Sequence, residues 1–146
     1  GCFEANPPFD PIVVRRMAIH MSKLMQRAEK DSDPLAFIVI IPSWPEENCW
    51  KKLHNSRFLR TEVHLPQAEH GYFDGAQHSR PQRYRHSNHD TTVFVLQTAR
   101  AAELWPCTAE KTRRLRDAFL PKQGLPTPVA SSFPSWQQQQ QQQQWQ

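Results

Sequence analysis

Four residues near the amino end of this 146-residue sequence, Asn6-Pro7-Pro8-Phe9, have the types and spacing that could do chemistry. The Asn6 side-chain oxygen and the Pro7 carbonyl are hydrogen-bond acceptors, and Phe9 offers a flat apolar face. Successive prolines fix φ and disfavour helix in the residue before each, so the acceptors are held ready before a ligand arrives. A planar aromatic amine suits this set. Such an amine is a poor nucleophile because its lone pair is delocalised into the ring. Acceptors on both N–H bonds favour a pyramidal nitrogen with its lone pair free to attack. The implied chemistry is methyl transfer to an exocyclic amine, with Asn6, Pro7, Pro8 and Phe9 as the catalytic loop. Positioning and polarity carry most of such a reaction, so no metal is expected and no general base is obligatory.

The flanking residues say which elements must hold that loop. Phe3-Glu4-Ala5 reads as the end of a strand, Asp10 as a helix N-cap, and Pro11 as a first helical residue. Val13, Met17, Met21, Leu24 and Ala28 recur at helical spacing, which predicts a one-sided helix ending by Asp31-Ser32-Asp33-Pro34. Leu35 to Ile41 is short and rich in branched residues, as a strand covered on both faces should be. Strand, loop, helix and buried strand make an α/β unit whose loop leaves the carboxyl end of a parallel strand. Arg57 to Leu65 and Thr91 to Thr98 read as two further strands, an antiparallel pair at the edge of the sheet. The polar stretch between them, Pro66 to Asp90, is long for an internal connection and predicts a functional or mobile segment. Thr108 reads as the N-cap of a short basic helix, Ala109 to Phe119. Beyond it come prolines at 121, 126, 128 and 134 and eight glutamines from Gln137 to Gln144, a composition that predicts disorder or self-association.

The motif with its preceding Phe3-Glu4-Ala5, then Phe37-Ile38-Val39-Ile40-Ile41-Pro42-Ser43-Trp44, Ser56-Arg57-Phe58, Glu69-His70-Gly71-Tyr72 and Gly75-Ala76-Gln77-His78, resembles the phosphorylated-CTD-interacting factor family of mRNA cap-specific adenosine methyltransferases. The likeness runs in order from Gly1 to about Gln97. It implies transfer of a methyl group from S-adenosyl-L-methionine to the N6-amine of a cap-adjacent 2′-O-methyladenosine. It also implies a nuclear location and association with the phosphorylated tail of RNA polymerase II. The implied fold is the C-terminal half of a class I, Rossmann-like methyltransferase. Residues 1–98 would form that part, 99–120 a helical extension and 121–146 a tail. The resemblance places the glycine-rich cofactor loop and the polymerase-binding WW domain upstream of Gly1, so the chain is expected to be a fragment inactive alone. Asn6 and Phe9 would border the cofactor. Trp44, Arg57, Glu69, His70, Tyr72 and His78 are the candidates for positioning capped RNA, with Trp44 able to stack on a base or on the cationic cap.

Formal net charge is +4, and its placement is uneven. Residues 1–50 hold five basic and seven acidic residues, whereas residues 51–100 hold eight and four. Lys51, Lys52, Arg57, Arg60, Arg80, Arg83 and Arg85 thus predict an RNA-facing region around the strand pair. Cys2, Cys49 and Cys107 are odd in number and widely spaced, which suits free thiols in a reducing compartment rather than disulfides or zinc. His70, His78, His86 and His89 cluster in the long connection without implying a metal. No apolar run approaches membrane-spanning length. Two other enzyme classes use related loops, DNA adenine and glutamine amide methyltransferases. An inactive polymerase-associated binding protein is the non-enzymatic alternative.

Overall fold

Asp10 opens the first helix: its carboxylate accepts from the Ile12 and Val13 amides at 2.8 and 2.9 Å, and Pro11 follows at the first helical position. In the computed structural model, which describes residues 1–73 and 84–120, this helix is α1 (Pro11–Lys30). It connects strand β1 (Cys2–Ala5) to β2 (Ala36–Pro42). There follow α2 (Asn48–His54), β3 (Leu59–Leu65), a 3-10 turn (Gln67–Glu69), β4 (Gly71–Phe73), β5 (Tyr84–His86), β6 (Thr91–Gln97), α3 (Ala99–Leu104) and α4 (Ala109–Phe119).

Four strands form one mixed sheet in the order β1-β2-β6-β3, and β4 and β5 form a separate antiparallel pair. β1 and β2 are parallel with Ala5 opposite Val39, while β6 runs antiparallel to both β2 and β3. The strand pair read from the sequence thus exists, but only β3 is an edge; β6 lies between it and β2. The register places Pro42 and Leu65 each opposite Thr91. The carboxyl ends of β1, β2 and β3 and the amino end of β6 therefore meet at one edge.

Both faces of the sheet are covered. On one, Phe37, Val39, Ile41, Phe94 and Leu96 pack with Val14, Ala18, Met21 and Met25 of α1 and Cys49 and Leu53 of α2. The buried stripe of α1 is Val14, Ala18, Met21, Met25 and Ala28 rather than the one expected, since Val13 and Leu24 are 42% and 38% exposed. Apolar residues span more than one helical stripe here, and the stripe that faces the sheet is set by packing rather than by the helix alone. On the other face Ile40, Val63, Leu65 and Val93 pack with Leu115 and Phe119 of α4. That helix, read from the sequence as part of an extension, is one layer of the fold.

Buried Thr98 ties the far end of the sheet together. Its hydroxyl accepts from the Leu35 and Ala101 amides at 3.0 and 3.3 Å and donates to the Asp33 carbonyl at 3.0 Å. It caps α3 and fixes the turn from α1 into β2 at the same time.

Candidate functional site

The motif leaves β1 at the sheet edge just defined. Asn6 and Phe9 are exposed, Phe9 to 43%, and Pro7 is half-buried. The Pro8 carbonyl accepts from Asp10 N at 2.8 Å, a turn that leads directly into the capped start of α1. Neither the Asn6 amide nor the Pro7 carbonyl is engaged by another described residue. Two acceptors and an aromatic face are thus presented at one loop, on a backbone held by prolines before it and a helix cap after it.

The connection before β6 closes over the same edge. Ser43 N donates to the Asp90 carbonyl at 2.8 Å, and Gln67 N donates to Asp90 Oδ1 at 2.8 Å, so Asp90 ties the ends of β2 and β3 together. Next to it, the His89 ring meets Phe9 edge-on, with centroids 5.1 Å apart and planes at 85°. The motif and the β5–β6 connection are therefore in direct contact.

Beneath the edge lies a buried polar chain. His70, fully buried, donates from Nδ1 to the Pro66 carbonyl at 2.7 Å and accepts at Nε2 from Thr91 Oγ1 at 2.9 Å. Thr91 Oγ1 in turn accepts from the Tyr72 hydroxyl at 2.7 Å. Because the Thr91 hydroxyl hydrogen goes to His70, Tyr72 is the donor in this bond, and burial pushes its phenol up, opposed by the bond to Thr91. His70 also reaches the connection above it, its carbonyl accepting from Ser87 N at 3.0 Å.

These contacts sort the sequence-derived candidates. Trp44, just past β2, is half-buried against the α1 core at the motif's edge. Glu69 and Tyr72 lie at that edge too, but Glu69 pairs with Arg116 of α4 at 3.0 Å and Tyr72 packs edge-on to Phe119. His70 has no exposed surface and acts only through the groups it holds. Arg57 stands apart: it precedes β3, at the opposite end of the sheet, with its guanidinium 4.6 Å over the Phe58 ring. His78 lies outside the described residues, as do Arg80 and Arg83. The expected basic region is divided, because Lys52 and Arg57 line a cleft of about 280 Å³ between α1 and α2 at that far end.

Two features went unread in the sequence. The long connection contains the β4–β5 hairpin, and its only advance sign is Gly71: a Cβ there would lie 2.2 Å from the Arg85 carbonyl. His89 carries no local sign that it meets Phe9 from 80 residues away. Trp50, by contrast, covers the sheet, donating from Nε1 to Thr92 Oγ1 at 3.1 Å and meeting Phe94 edge-on.

Comparison with known proteins identifies the family. Residues 1–75 match the family model described as the phosphorylated CTD interacting factor 1 WW domain. The matched stretch here includes a 20-residue helix between two parallel strands. Over 123 residues the chain is 36% identical to the mouse protein named mRNA (2′-O-methyladenosine-N(6)-)-methyltransferase, and 35% identical to the human protein of that name. Each alignment covers 82% of this chain but 17% of the relative, so the chain spans about a sixth of those proteins. The chain belongs to the phosphorylated CTD interacting factor 1 family, whose mouse and human members carry a methyltransferase name.

Proposed function

We propose that this chain supplies the amine-binding edge of an mRNA cap-adenosine N6-methyltransferase, with Asn6 and the Pro7 carbonyl receiving the amine and Phe9 stacking on its ring. The observation that carries the reading is the pair of unengaged acceptors on a proline-fixed loop at the carboxyl edge of the sheet, where ligands of such sheets bind. The strand order supports a finer fold assignment, the C-terminal half of a class I methyltransferase, because two parallel strands are followed inward by one antiparallel strand and then an edge.

The residues at this edge fit the sulfonium end of S-adenosyl-L-methionine. Carbonyl and amide oxygens and the face of an exposed aromatic ring are suited to a cation, and Asn6 and Phe9 would border it. When bound, that group supplies an activated methyl. The protein's own part is to take the adenine out of any stack with its neighbours, hold its ring on Phe9 and orient the amine. Stacking of this kind is worth roughly 1–3 kcal/mol. Capped RNA is the substrate we assign, with Trp44 at the same edge available for a second stacking contact. Nuclear location and association with phosphorylated polymerase tail belong to the same proposal and rest on family membership.

The test is a comparison of substrates with the complete protein. RNA capped and beginning with 2′-O-methyladenosine should be methylated well and the uncapped RNA poorly. Equal rates on both would overturn the cap-specific reading, and a preference for duplex DNA would favour the alternative enzyme class, DNA adenine rather than glutamine amide methylation.

A further inference from the structure

His89 is held unusually firmly for a residue in a connection. Ser87 Oγ donates to its carbonyl at 2.6 Å, Ser87 N is tied to the His70 carbonyl, and Asp90 next to it joins the ends of β2 and β3. Its ring is fixed as well. Nδ1 lies 2.6 Å from Asn88 Oδ1, and with that oxygen as its acceptor Nδ1 carries the hydrogen and Nε2 bears the lone pair. That Nε2 is buried and has no partner among the described residues, an arrangement proteins rarely leave without a use. The residue lying edge-on to the ring is Phe9, itself 43% exposed.

We propose that His89 is a specificity-determining residue of the amine site: Nε2 accepts a hydrogen bond from the exocyclic amine of the base that stacks on Phe9. The inference rests on the amine-site reading above and goes beyond it in assigning how an amine is told from a carbonyl. Asn6 alone cannot do so, because its side chain can turn either an oxygen or an NH₂ group toward the base. In the arrangement seen, with Nδ1 donating to Asn88 Oδ1, His89 presents its Nε2 lone pair as an acceptor. An amine has two N–H groups; one goes to the Pro7 carbonyl, and the other is shared between Asn6 and His89 in a three-centre bond of a common kind. A base with a carbonyl at that position would set its oxygen against the Nε2 lone pair. For Nε2 to meet the incoming donor, the exposed Phe9 ring, which lies against His89, must turn as the base stacks.

The groups facing the ring act together on its charge. Burial first and His70 second hold the His89 imidazole below its usual value, opposed by Asp90. The lone pair is therefore present at neutral pH.

The experiment uses the complete protein and three capped RNAs whose first nucleoside is 2′-O-methyladenosine, its inosine counterpart or the purine riboside lacking the amine. The wild type should bind the adenosine RNA more tightly than the inosine RNA by about tenfold or more, the effect of one hydrogen bond made against one opposed. His89→Phe keeps an aromatic edge against Phe9 but should lose most of that preference through weaker adenosine binding. His89→Gln, able to donate, should accept inosine. The ¹⁵N signal of wild-type His89 Nε2 should shift with the adenosine RNA and not with the purine riboside, a readout that needs no variant. An unchanged preference in both variants, or an Nε2 signal indifferent to the amine, overturns the inference. If the amine-site reading itself is wrong, the wild type shows no preference for adenosine and Asn6→Ala leaves transfer intact. If only the role of His89 is wrong, both of those properties survive.

Discussion

Replacing Thr91 with valine keeps the shape of a fully buried side chain and deletes the hydroxyl at the centre of the polar chain. Two hydrogen bonds go with it, the 2.9 Å bond to His70 Nε2 and the 2.7 Å bond from the Tyr72 hydroxyl. His70 has no exposed surface, so its nitrogen is left unsatisfied at a cost of about 1–3 kcal/mol. Tyr72 is half-buried and water can partly replace the lost acceptor, so about 0.5–1.5 kcal/mol is the appropriate second contribution. The sum is about 1.5–4.5 kcal/mol, a large fraction of what holds an ordinary domain together. Urea denaturation followed by tryptophan fluorescence should show a midpoint lower by about 1–2 M with an unchanged slope. Tyr72→Phe alone should cost less. The double variant should cost less than the two added, because both substitutions remove the same bond. A Thr91→Val midpoint equal to wild type would mean that the chain of hydroxyls and imidazole contributes no stability. The braced connection carrying His89 would then need another support.

Ser32 has a φ of 58°, the left-handed conformation at the end of α1, and Ser32→Gly should raise stability by about 1 kcal/mol in the same denaturation assay. Gly71→Ala should unpair the β4–β5 hairpin, since the new methyl would lie 2.2 Å from the Arg85 carbonyl; faster hydrogen exchange at Tyr72 and Arg85 would report it. His89 also predicts a pH effect on stability. Its folded value is depressed, so the neutral ring's contribution is present above the unfolded imidazole value and is lost as pH falls through the lower folded value. A stability curve from pH 7 downward should fall less steeply in His89→Gln, and an identical slope would contradict this.

The parts of the fold legible in the sequence were those governed by local chemistry. Asp10 and Pro11 announced the start of α1, and Thr108 that of α4, because a cap is written within three or four residues. The branched run became β2, and the alternating and apolar runs became β3 and β6, with ends shifted by a residue or two. What stayed hidden depends on contacts across the chain. Which side of α1 is buried was not legible, because apolar residues occupy more than one stripe and the choice is made by the sheet. The same holds for α4, whose Leu115 and Phe119 read as a minor part of a basic helix until β3 and Tyr72 lie beneath them. At the site, the motif was legible because its chemistry lies in consecutive residues. His89 and the burial of His70 were not, since both follow from the antiparallel insertion of β6, which no local pattern specifies. That Arg57 lies at the far end of the sheet from the motif was not legible for the complementary reason: residues flanking a strand lie at one end of it or the other, and only the register says which.

The central claim is that Asn6 and Phe9 form the amine site, and the most direct test is single-turnover methyl transfer to 2′-O-methyladenosine-initiated capped RNA by the complete protein. Asn6→Ala removes an acceptor needed as the nitrogen becomes pyramidal and should slow transfer by about a hundredfold or more, as the loss of one transition-state hydrogen bond does elsewhere. Phe9→Ala, which loses the stacking face, should slow it as well, while both variants still bind S-adenosyl-L-methionine measurably. Near-normal transfer by either variant would contradict the assignment and leave the proline loop as a connection between a strand and a helix.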